Sequence, residues 1–462
     1  MIRRAFVLAL VVAAFAPSAP SHAASRATFR GGILPMPQLR PNAEPGMAVD
    51  GGGTVWVSSL VGGEPPPEGA EVPGTAIWRS RDAGRSYEWV TDPNEIVPGA
   101  PALPFAGADS DIAAAPERND SGHYNVYAAA LHPAGVTIAL SSDGGASWLL
   151  DPLAGAAGPS DRPWVAADGA CSVYLAYRRF APWFVHRYDL CDPLGNRAAR
   201  EPETTVTLTP GGVEGGDVRA GKIVVDASPR SRFRHAVYLP LEVCPIGLVP
   251  PGACRTRPYI AVARSLDEGR TFTSHRVAVV RNGAQPIWPV TLATDAVGGV
   301  YVAWHDDRDA YLSRSHDAGA HWPRPVRVNG RGSPTAIYPT VAAEGRGVVE
   351  VAWYGTTREG NANDQKVMGL PNAKGAASWR VWWARSTNGG RSFDAQPVTG
   401  VVHRGIACTS GTGCEIENSR NLFDDFGIVI HPRTHRASIA YTTDQPGGTL
   451  ETTFSAYATQ MP

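Results

Sequence analysis

The chain has few charged residues and almost no net charge. Of its 462 residues, 42 are Lys or Arg and 43 are Asp or Glu, so 18% are charged and the formal net charge is −1. This balance offers no broad basic surface for DNA, RNA or anionic lipid, and we predict no nucleic-acid partner. After the N-terminal region no apolar run reaches the 18 residues of a membrane span, which predicts a soluble protein without one.

Several motifs of catalytic and cofactor sites are also absent. The sequence contains no Gly-x-Ser-x-Gly elbow, phosphate loop, Cys-x-x-Cys or His-Glu-x-x-His pattern. Serine-hydrolase, nucleotide and zinc chemistry are therefore not indicated, and we predict neither a metal site nor a cofactor. A structural calcium ion in one of the Asp-rich loops is the alternative, although none of these loops has EF-hand spacing.

The N-terminus and the cysteines indicate export. Arg3 and Arg4 precede the apolar run 5–16 and a small-residue stretch that ends at Ala23. This pattern predicts a signal peptide over 1–23, a mature domain over 24–462, and a secreted or periplasmic location. Six cysteines in an exported chain predict disulfides. Pairing between sequence neighbours is the simplest of the possible connectivities: Cys171–Cys191, Cys244–Cys254 and Cys408–Cys414.

The 50 glycines and 40 prolines favour many short strands joined by turns. One turn pattern, Ser-x-Asp-x-Gly-x-x-aromatic, begins at Ser80, Ser141, Ser265 and Ser315, and a copy with Asn in place of Asp begins at Ser386. The acidic or amide side chain is expected to cap backbone N–H groups, and the glycine to take a positive φ. The aromatic ring is expected to pack between neighbouring sheets.

A second repeat sets the architecture. Strand-like triplets centred on Trp56, Tyr127, Tyr174, Tyr238, Tyr301, Glu350 and Ser438 recur about every 64 residues. This spacing is typical of four-stranded β-propeller blades. We predict an all-β propeller with seven blades, or alternatively six, and expect residues before Glu44 to complete the last blade.

The blade topology predicts which face carries function. The Ser-x-Asp turns join the third and fourth strands, whereas the long insertions 61–74, 244–257, 358–378 and 404–421 connect strands at the opposite, top face. Polar residues that open the inner strands should ring the channel mouth on this face: Asp109, Asp111, Asp161, Arg162, Asp217, Arg219, Asp424 and Asp425.

The turn pattern resembles the Asp-box, or BNR repeat, of sialidases (neuraminidases) and other exported propellers. This resemblance implies the propeller fold over nearly all of the mature chain. For a sialidase it also implies arginines that hold the substrate carboxylate, a Tyr nucleophile activated by a Glu, and an acid/base Asp. By order along the chain, the arginine roles fall on Arg255 or Arg257 and on Arg308, the Tyr role on Tyr338 and the Glu role on Glu242.

The sequence departs from that family near its start. Glu44 stands where the family has an Arg, and the loop after Leu60 contains no Asp. Asp111 or Asp161 is the substitute acid, and Arg162 and Arg219 are further candidate substrate ligands. The leading hypothesis is an exported, retaining exo-sialidase that acts on a glycan. The alternatives are a non-catalytic propeller that binds a glycan or protein, and a hydrolase or lyase of another polysaccharide. The oligomeric state is not indicated.

Overall fold

Seven four-stranded antiparallel blades form the molecule, which confirms the predicted seven-bladed β-propeller. The computed structural model describes residues 26–37, 39–62, 74–90, 93, 108–132, 135–151, 154, 158, 160–179, 182–190, 204–208, 217–245, 248–249, 253–254, 257–281 and 289–462. The predicted signal peptide, 1–23, lies outside the described residues. No helix in the described part of the chain is long and apolar enough to cross a membrane.

Blades 1 to 4 follow one another along the chain, and each is given from its inner to its outer strand. Blade 1 comprises Asn42–Val49, Val55–Val61, Thr75–Ser80 and Glu88–Val90. Blade 2 comprises Ala108–Arg118, Tyr124–His132, Gly135–Ser141 and Leu149–Asp151. Blade 3 comprises Asp161–Asp168, Ser172–Arg178, Trp183–Asp189 and Thr204–Leu208. Blade 4 comprises the interrupted inner strand Asp217–Ala220 and Val224–Val225, then Val237–Cys244, Tyr259–Ser265 and Thr273–Val279.

Blades 5 to 7 complete the ring. Blade 5 comprises Thr291–Thr294, Val300–His305, Ala310–Ser315 and Val326–Arg327. Blade 6 comprises Thr335–Glu344, Val348–Thr356, Ser378–Ser386 and an outer strand in two pieces, Asp394–Pro397 and His403–Arg404. Blade 7 comprises Gly427–Ile430, Ala437–Thr443, Phe454–Gln460 and Phe29–Ile33. A two-stranded ribbon (Leu248–Val249, Ala253–Cys254), one helical turn (Gln365–Met368) and two 3-10 turns (Gly411–Gly413, Leu450–Thr452) lie in the connections.

The N-terminal strand closes the ring. Phe29–Ile33 pairs antiparallel with Phe454–Gln460 as the outer strand of blade 7, with Phe29 opposite Gln460. The prediction that residues before Glu44 complete the last blade is therefore confirmed. The inner strands of successive blades contact one another all the way round, and blade 7 contacts blade 1. The two ends of the chain thus share one sheet, so its hydrogen bonds hold the ring closed.

The hydrophobic core lies between the blades rather than at one centre. Seven clusters of buried side chains each join two neighbouring sheets. The cluster between blades 7 and 1, for example, packs Trp78 and Val57 against Val429 and Ala440. Since every blade buries both of its faces against neighbours, no single blade has a complete core of its own.

The five Ser-x-Asp/Asn turns share one set of contacts between the third and fourth strands of their blades. In blade 4, Ser265 Oγ accepts a bond from Gly269 N (2.8 Å), while Asp267 Oδ1 accepts one from Thr271 N (2.9 Å). Gly269 has φ of +81°, a conformation that glycine adopts without steric cost. The aromatic residue that follows, Phe272, packs against the core between blades 3 and 4. The contacts predicted for this turn are confirmed.

We expect Asp267→Ala to destabilise the protein by about 1–2 kcal/mol, because the turn loses an acceptor for its own N–H and hydroxyl groups. Asp267→Asn should cost less than about 0.5 kcal/mol. The turn that begins at Ser386 supports this difference, because it has Asn388 at the Asp position. Asn388 Oδ1 accepts hydrogen bonds from Arg391 N (3.0 Å) and Ser392 N (3.1 Å). Chemical denaturation of both variants measures the effect, and equal losses would contradict it.

The connections 358–378 and 404–421 lie on the top face, as predicted from the topology, and the described ends of the connections 61–74 and 244–257 leave the blades at the same face. Two of the four connections carry disulfides. Cys244 is bonded to Cys254 and Cys408 to Cys414, which confirms two of the predicted pairs. Cys171 is also disulfide-bonded, and its predicted partner Cys191 lies outside the described residues. Disulfides are compatible with an oxidising compartment such as the cell exterior.

Candidate functional site at the top of the channel

A narrow cavity of about 170 Å³ lies at the centre of the ring. All seven inner strands contribute to its wall, and one residue from each is Met47, Ser110, Trp164, Val224, Leu292, Val341 and Ile428. Polar side chains concentrate in the same wall: Glu44, Asp109, Asp111, Arg162, Lys222 and Asp425. The predicted polar ring is therefore present for Asp109, Asp111, Arg162 and Asp425.

Three inner strands begin with the same irregularity. Glu44, Arg162 and Tyr338 have φ of 54°, 55° and 51°, and each is followed by a proline. The register of the pairing with the next strand shifts at each of these positions. Positive φ costs a residue with a side chain about 1–2 kcal/mol. Such strain persists where the surrounding structure fixes it, and here it occurs in three residues that join one buried cluster.

Arg162 is the centre of this cluster. Its guanidinium nitrogens lie 2.6 Å from Asp424 Oδ2, 3.3 Å from Asp109 Oδ2, 3.3 Å from Asp425 Oδ2 and 3.4 Å from Glu44 Oε2. The Arg162 side chain is only 9% exposed. Blades 1, 2 and 3 and the connection into blade 7 therefore meet at a single buried cation.

Arg420, Asp424 and Tyr338 extend the cluster. Arg420 Nη2 lies 2.7 Å from Asp424 Oδ2, so two arginines share one carboxylate oxygen. The Tyr338 hydroxyl donates to the other oxygen, Asp424 Oδ1, over 3.5 Å and lies 3.4 Å from the Cys408 carbonyl. The ring of Tyr338 also packs edge-on against His305, with centroids 5.1 Å apart.

The cluster shifts the pKa values of neighbouring carboxyl groups in opposite directions. Burial raises the pKa of Asp425 to about 7 despite the opposing charge of Arg162, and burial also raises the pKa of Glu44. Burial acts on Asp424 in the same direction, but the charges of Arg420 and Arg162 outweigh it and leave the pKa of Asp424 below its ordinary value. Adjacent carboxyls with divergent pKa values are typical of acid/base sites.

Asp161 lies at the outer edge of the cluster. It is exposed, pairs across the sheet with Arg178, and its carboxyl group hydrogen-bonds that of Asp109. This predicted acid is therefore connected to the Arg162 cluster and open to solvent.

Deeper in the channel, Lys222 occupies the space beside Asp111. Its ammonium lies 2.6 Å from Asp111 Oδ1 and donates to the backbone carbonyls of Ile112 (2.9 Å) and Met47 (3.3 Å). Val165 N donates to Asp111 Oδ2. A Cβ at position 46 would lie 2.8 Å from Asp111 Oδ1, so Gly46 leaves room for this carboxylate. The contacts of Asp111 and Lys222 therefore connect blades 1, 2, 3 and 4, which is a structural role for Asp111.

Two of the residues assigned from the sialidase resemblance, Glu242 and Arg308, have other described neighbours than Tyr338. Tyr338 makes no bond to Glu242 among the described residues, and the carboxylate beside its hydroxyl is Asp424. Glu242 is buried and lies opposite Arg219 in the sheet of blade 4. Arg308 is half exposed and pairs with Glu359 at 2.6 Å, and Arg255 lies outside the described residues.

Two members of the site, Lys222 and Arg420, were missed by sequence reasoning. Lys222 follows a break in the inner strand of blade 4, and Arg420 lies in an irregular connection, so neither position shows a periodic signal. The strand-opening dipeptides Glu44-Pro45, Arg162-Pro163 and Tyr338-Pro339 were an available signal, because a polar side chain followed by proline recurs at the same place in three repeats.

One group of side chains in the described residues approaches metal-ligand spacing. It comprises Glu242, Cys244 and Cys254. The disulfide occupies both sulfurs, so thiolates are not available to a metal ion there.

The fold and the site define a seven-bladed β-propeller with a buried acid–arginine cluster at one mouth of its channel. No protein-family model matches the chain, and no curated protein sequence matches it. Among solved structures, it is similar to a protein of unknown function from Dyadobacter fermentans (12% identity, TM-score 0.43, covering 94% of this chain and 99% of that one).

Two further solved structures are similar to the chain. A Hadza microbial sialidase has 11% identity and a TM-score of 0.44, with 91% of this chain and 66% of that one covered. An α-L-arabinanase from Penicillium chrysogenum, complexed with arabinobiose, has 9% identity and a TM-score of 0.45, with 94% and 96% covered. At such identities the likeness concerns the fold alone.

Proposed function

We propose that the protein is a glycoside hydrolase whose site is the Arg162 cluster at the top of the channel. The observation that carries this proposal is a pair of adjacent carboxyls with opposite pKa shifts, Asp425, which lines the cavity, and Asp424 next to it. Glycoside hydrolysis requires a protonated carboxyl that donates to the leaving oxygen and an ionised one that stabilises the positive charge developing on the sugar.

Asp425 is the acid/base residue in this proposal. Its pKa of about 7 lies near neutral pH, where a group transfers protons most effectively in both directions. Asp424 remains ionised between Arg162 and Arg420 and supplies negative charge beside the sugar ring. Asp425 gives its proton to the leaving oxygen as the glycosidic bond breaks, then accepts a proton from the water molecule that attacks the anomeric carbon. Tyr338 acts as a positioning residue through its hydrogen bond to Asp424 Oδ1.

We further propose an uncharged sugar as substrate. Four carboxyl groups surround Arg162, and Arg420 also contacts Asp424. Both guanidinium groups therefore already form ion pairs with protein carboxyl groups, and the cluster has four carboxyl groups for two arginines. A sugar carboxylate brought to this site would meet like charge at close range, which is unfavourable in a buried setting.

An exo-sialidase is the second candidate, and the Tyr338–Asp424 contact favours it. In that mechanism the Tyr338 hydroxyl attacks the anomeric carbon, and Asp424 accepts its proton in the role first assigned to Glu242. Asp161 or Asp111 would be the acid, with Asp161 favoured because it is exposed and Asp111 contacts Lys222. Arg255, Arg308, Arg162 and Arg219 would bind the substrate.

A substrate panel distinguishes these proposals. We expect the purified protein to release reducing ends from at least one neutral polysaccharide, and to release no fluorophore from a sialoside. Glu417→Gln is the matched control for Asp425→Asn, because Glu417 is exposed on the same connection. Sialoside cleavage that Tyr338→Phe abolishes would establish the sialidase instead. Glycan binding without any turnover would overturn both and support a non-catalytic propeller.

A further inference from the structure

A second site lies on the outer rim, between blades 4 and 5. There an open groove of about 700 Å³ is lined on one side by the outer strand of blade 4, at Val277–Val280, and on the other by Trp322–Pro325 of blade 5. Trp304 and Tyr311 form its floor, and their rings stack at 5.9 Å with an interplanar angle of 27°. The groove shares no lining residue with the channel cavity.

The charge of this groove is opposite to that of the channel mouth. Four arginines line it, Arg257 and Arg281 on the blade 4 side and Arg324 and Arg327 on the blade 5 side, against one acid, Asp309. Asp309 is already paired with Arg327 at 2.8 Å. The other three arginines are exposed and make no hydrogen bond or ion pair with the described residues. Three guanidinium groups that have no partner in the described part of the chain therefore border one groove in a protein with a net charge of −1.

We propose that this groove binds a polyanionic oligosaccharide, a glycan chain that carries carboxylate or sulfate groups. Planar guanidinium groups bind both kinds of anion through paired hydrogen bonds. Their position on both walls suits a ligand with repeated charges. The half-buried Trp322 and the exposed Pro323 and Val279 provide apolar surface for the carbon face of sugar rings.

The same geometry disfavours other polyanions. Binding of single-stranded nucleic acid relies on a series of aromatic faces that stack on successive bases. Trp304 cannot contribute to such a series, because it is 2% exposed and its face is covered by Tyr311, and the half-buried Trp322 alone does not make one. An acidic peptide that added a strand to the blade 5 wall would meet Pro323 and Pro325, which have no N–H to donate. A glycan requires neither feature.

Isothermal titration calorimetry of the full chain tests this proposal. The probes are a heparin-derived oligosaccharide for sulfate, an oligogalacturonate for carboxylate and a cello-oligosaccharide as the neutral control. We expect at least one anionic glycan to bind, binding to weaken as salt increases, and the neutral glycan not to bind. Arg281→Ala/Arg324→Ala should weaken binding about tenfold or more through the loss of two charge-assisted contacts.

The matched control is Arg230→Ala/Arg346→Ala, which removes the same charge from exposed positions outside the groove. It should change affinity by less than about twofold. Asp425→Asn should bind the anionic glycan as the wild type does, so failure of the proposed catalytic function would leave this result intact. Equal losses in the two arginine double variants would overturn the proposal. So would absence of binding to both anionic glycans, or tighter binding of single-stranded DNA or poly-glutamate.

Discussion

Arg162→Ala is expected to destabilise the protein by about 3–5 kcal/mol at pH 7, the usual cost of removing one partner from a buried ion pair. The cause is the number of acids that depend on this cation. Asp424, Asp425, Glu44 and Asp109 all lie within 3.4 Å of the guanidinium. Without it, buried carboxyls must either ionise unpaired or take up protons. Urea denaturation measures the change.

The destabilisation should depend on pH in a defined direction. Asp424 has a lowered pKa, so its ionised form contributes stability above its unfolded pKa of about 3.9 that is lost as pH falls. Arg162→Ala removes part of that contribution, so its deficit should be present in full near neutral pH and should shrink only as pH falls below about 4 towards the folded pKa of Asp424. Arg308→Ala, which breaks the exposed pair with Glu359, is the control and should cost less than about 1 kcal/mol. If Arg162→Ala cost as little stability as the control, Arg162 would not be the cation on which the four carboxyl groups depend.

Asp425→Asn is expected to reduce hydrolysis by about 10²- to 10⁴-fold, the usual contribution of a general acid/base residue. The amide resembles the protonated carboxyl in shape but has no acidic proton to transfer. In the wild type, hydrolysis should fall as pH rises through about 7, because Asp425 loses its proton there. The residual hydrolysis of the variant should lack this alkaline limb. Initial rates between pH 5 and 9 test both statements.

The folding stability of Asp425→Asn shows whether the variant loses activity because it lacks the acid/base group or because it is less stably folded. The pKa of Asp425 is raised in the folded state, so this group binds a proton more tightly there than in the unfolded chain. Its contribution to stability therefore falls as pH rises from about 4 through about 7. Asp425→Asn removes that penalty, and the variant should be as stable as the wild type at pH 8, or more so. A variant that is both inactive and unstable at pH 8 would count against the assigned role.

The sequence repeats were sufficient to predict much of the fold. The spacing of the strand triplets predicted seven blades, and the turn at Ser265 and its four counterparts predicted where the third and fourth strands meet. Pairing of neighbouring cysteines predicted Cys244–Cys254 and Cys408–Cys414. These features are local, because a turn, a strand period and a short disulfide loop each depend on residues close together in the chain.

The site depended on contacts across the whole chain. Glu44 and Asp424 are 380 residues apart, yet the Asp424 amide donates to Glu44 Oε1. Order along the chain placed Glu242 beside Tyr338, whereas the ring places Asp424 there.

The number of blades, their turns and the face on which polar residues collect could all be predicted from the sequence, because each depends on a local pattern that repeats along the chain. The folded ring was needed to show which carboxyl groups contact Arg162 and that Lys222 lies beside Asp111 in the channel. It was also needed to show that the pKa values of Asp424 and Asp425 shift in opposite directions. Closure of the ring brings residues from seven blades to one axis, and the burial and charge that set their pKa values exist only after that closure.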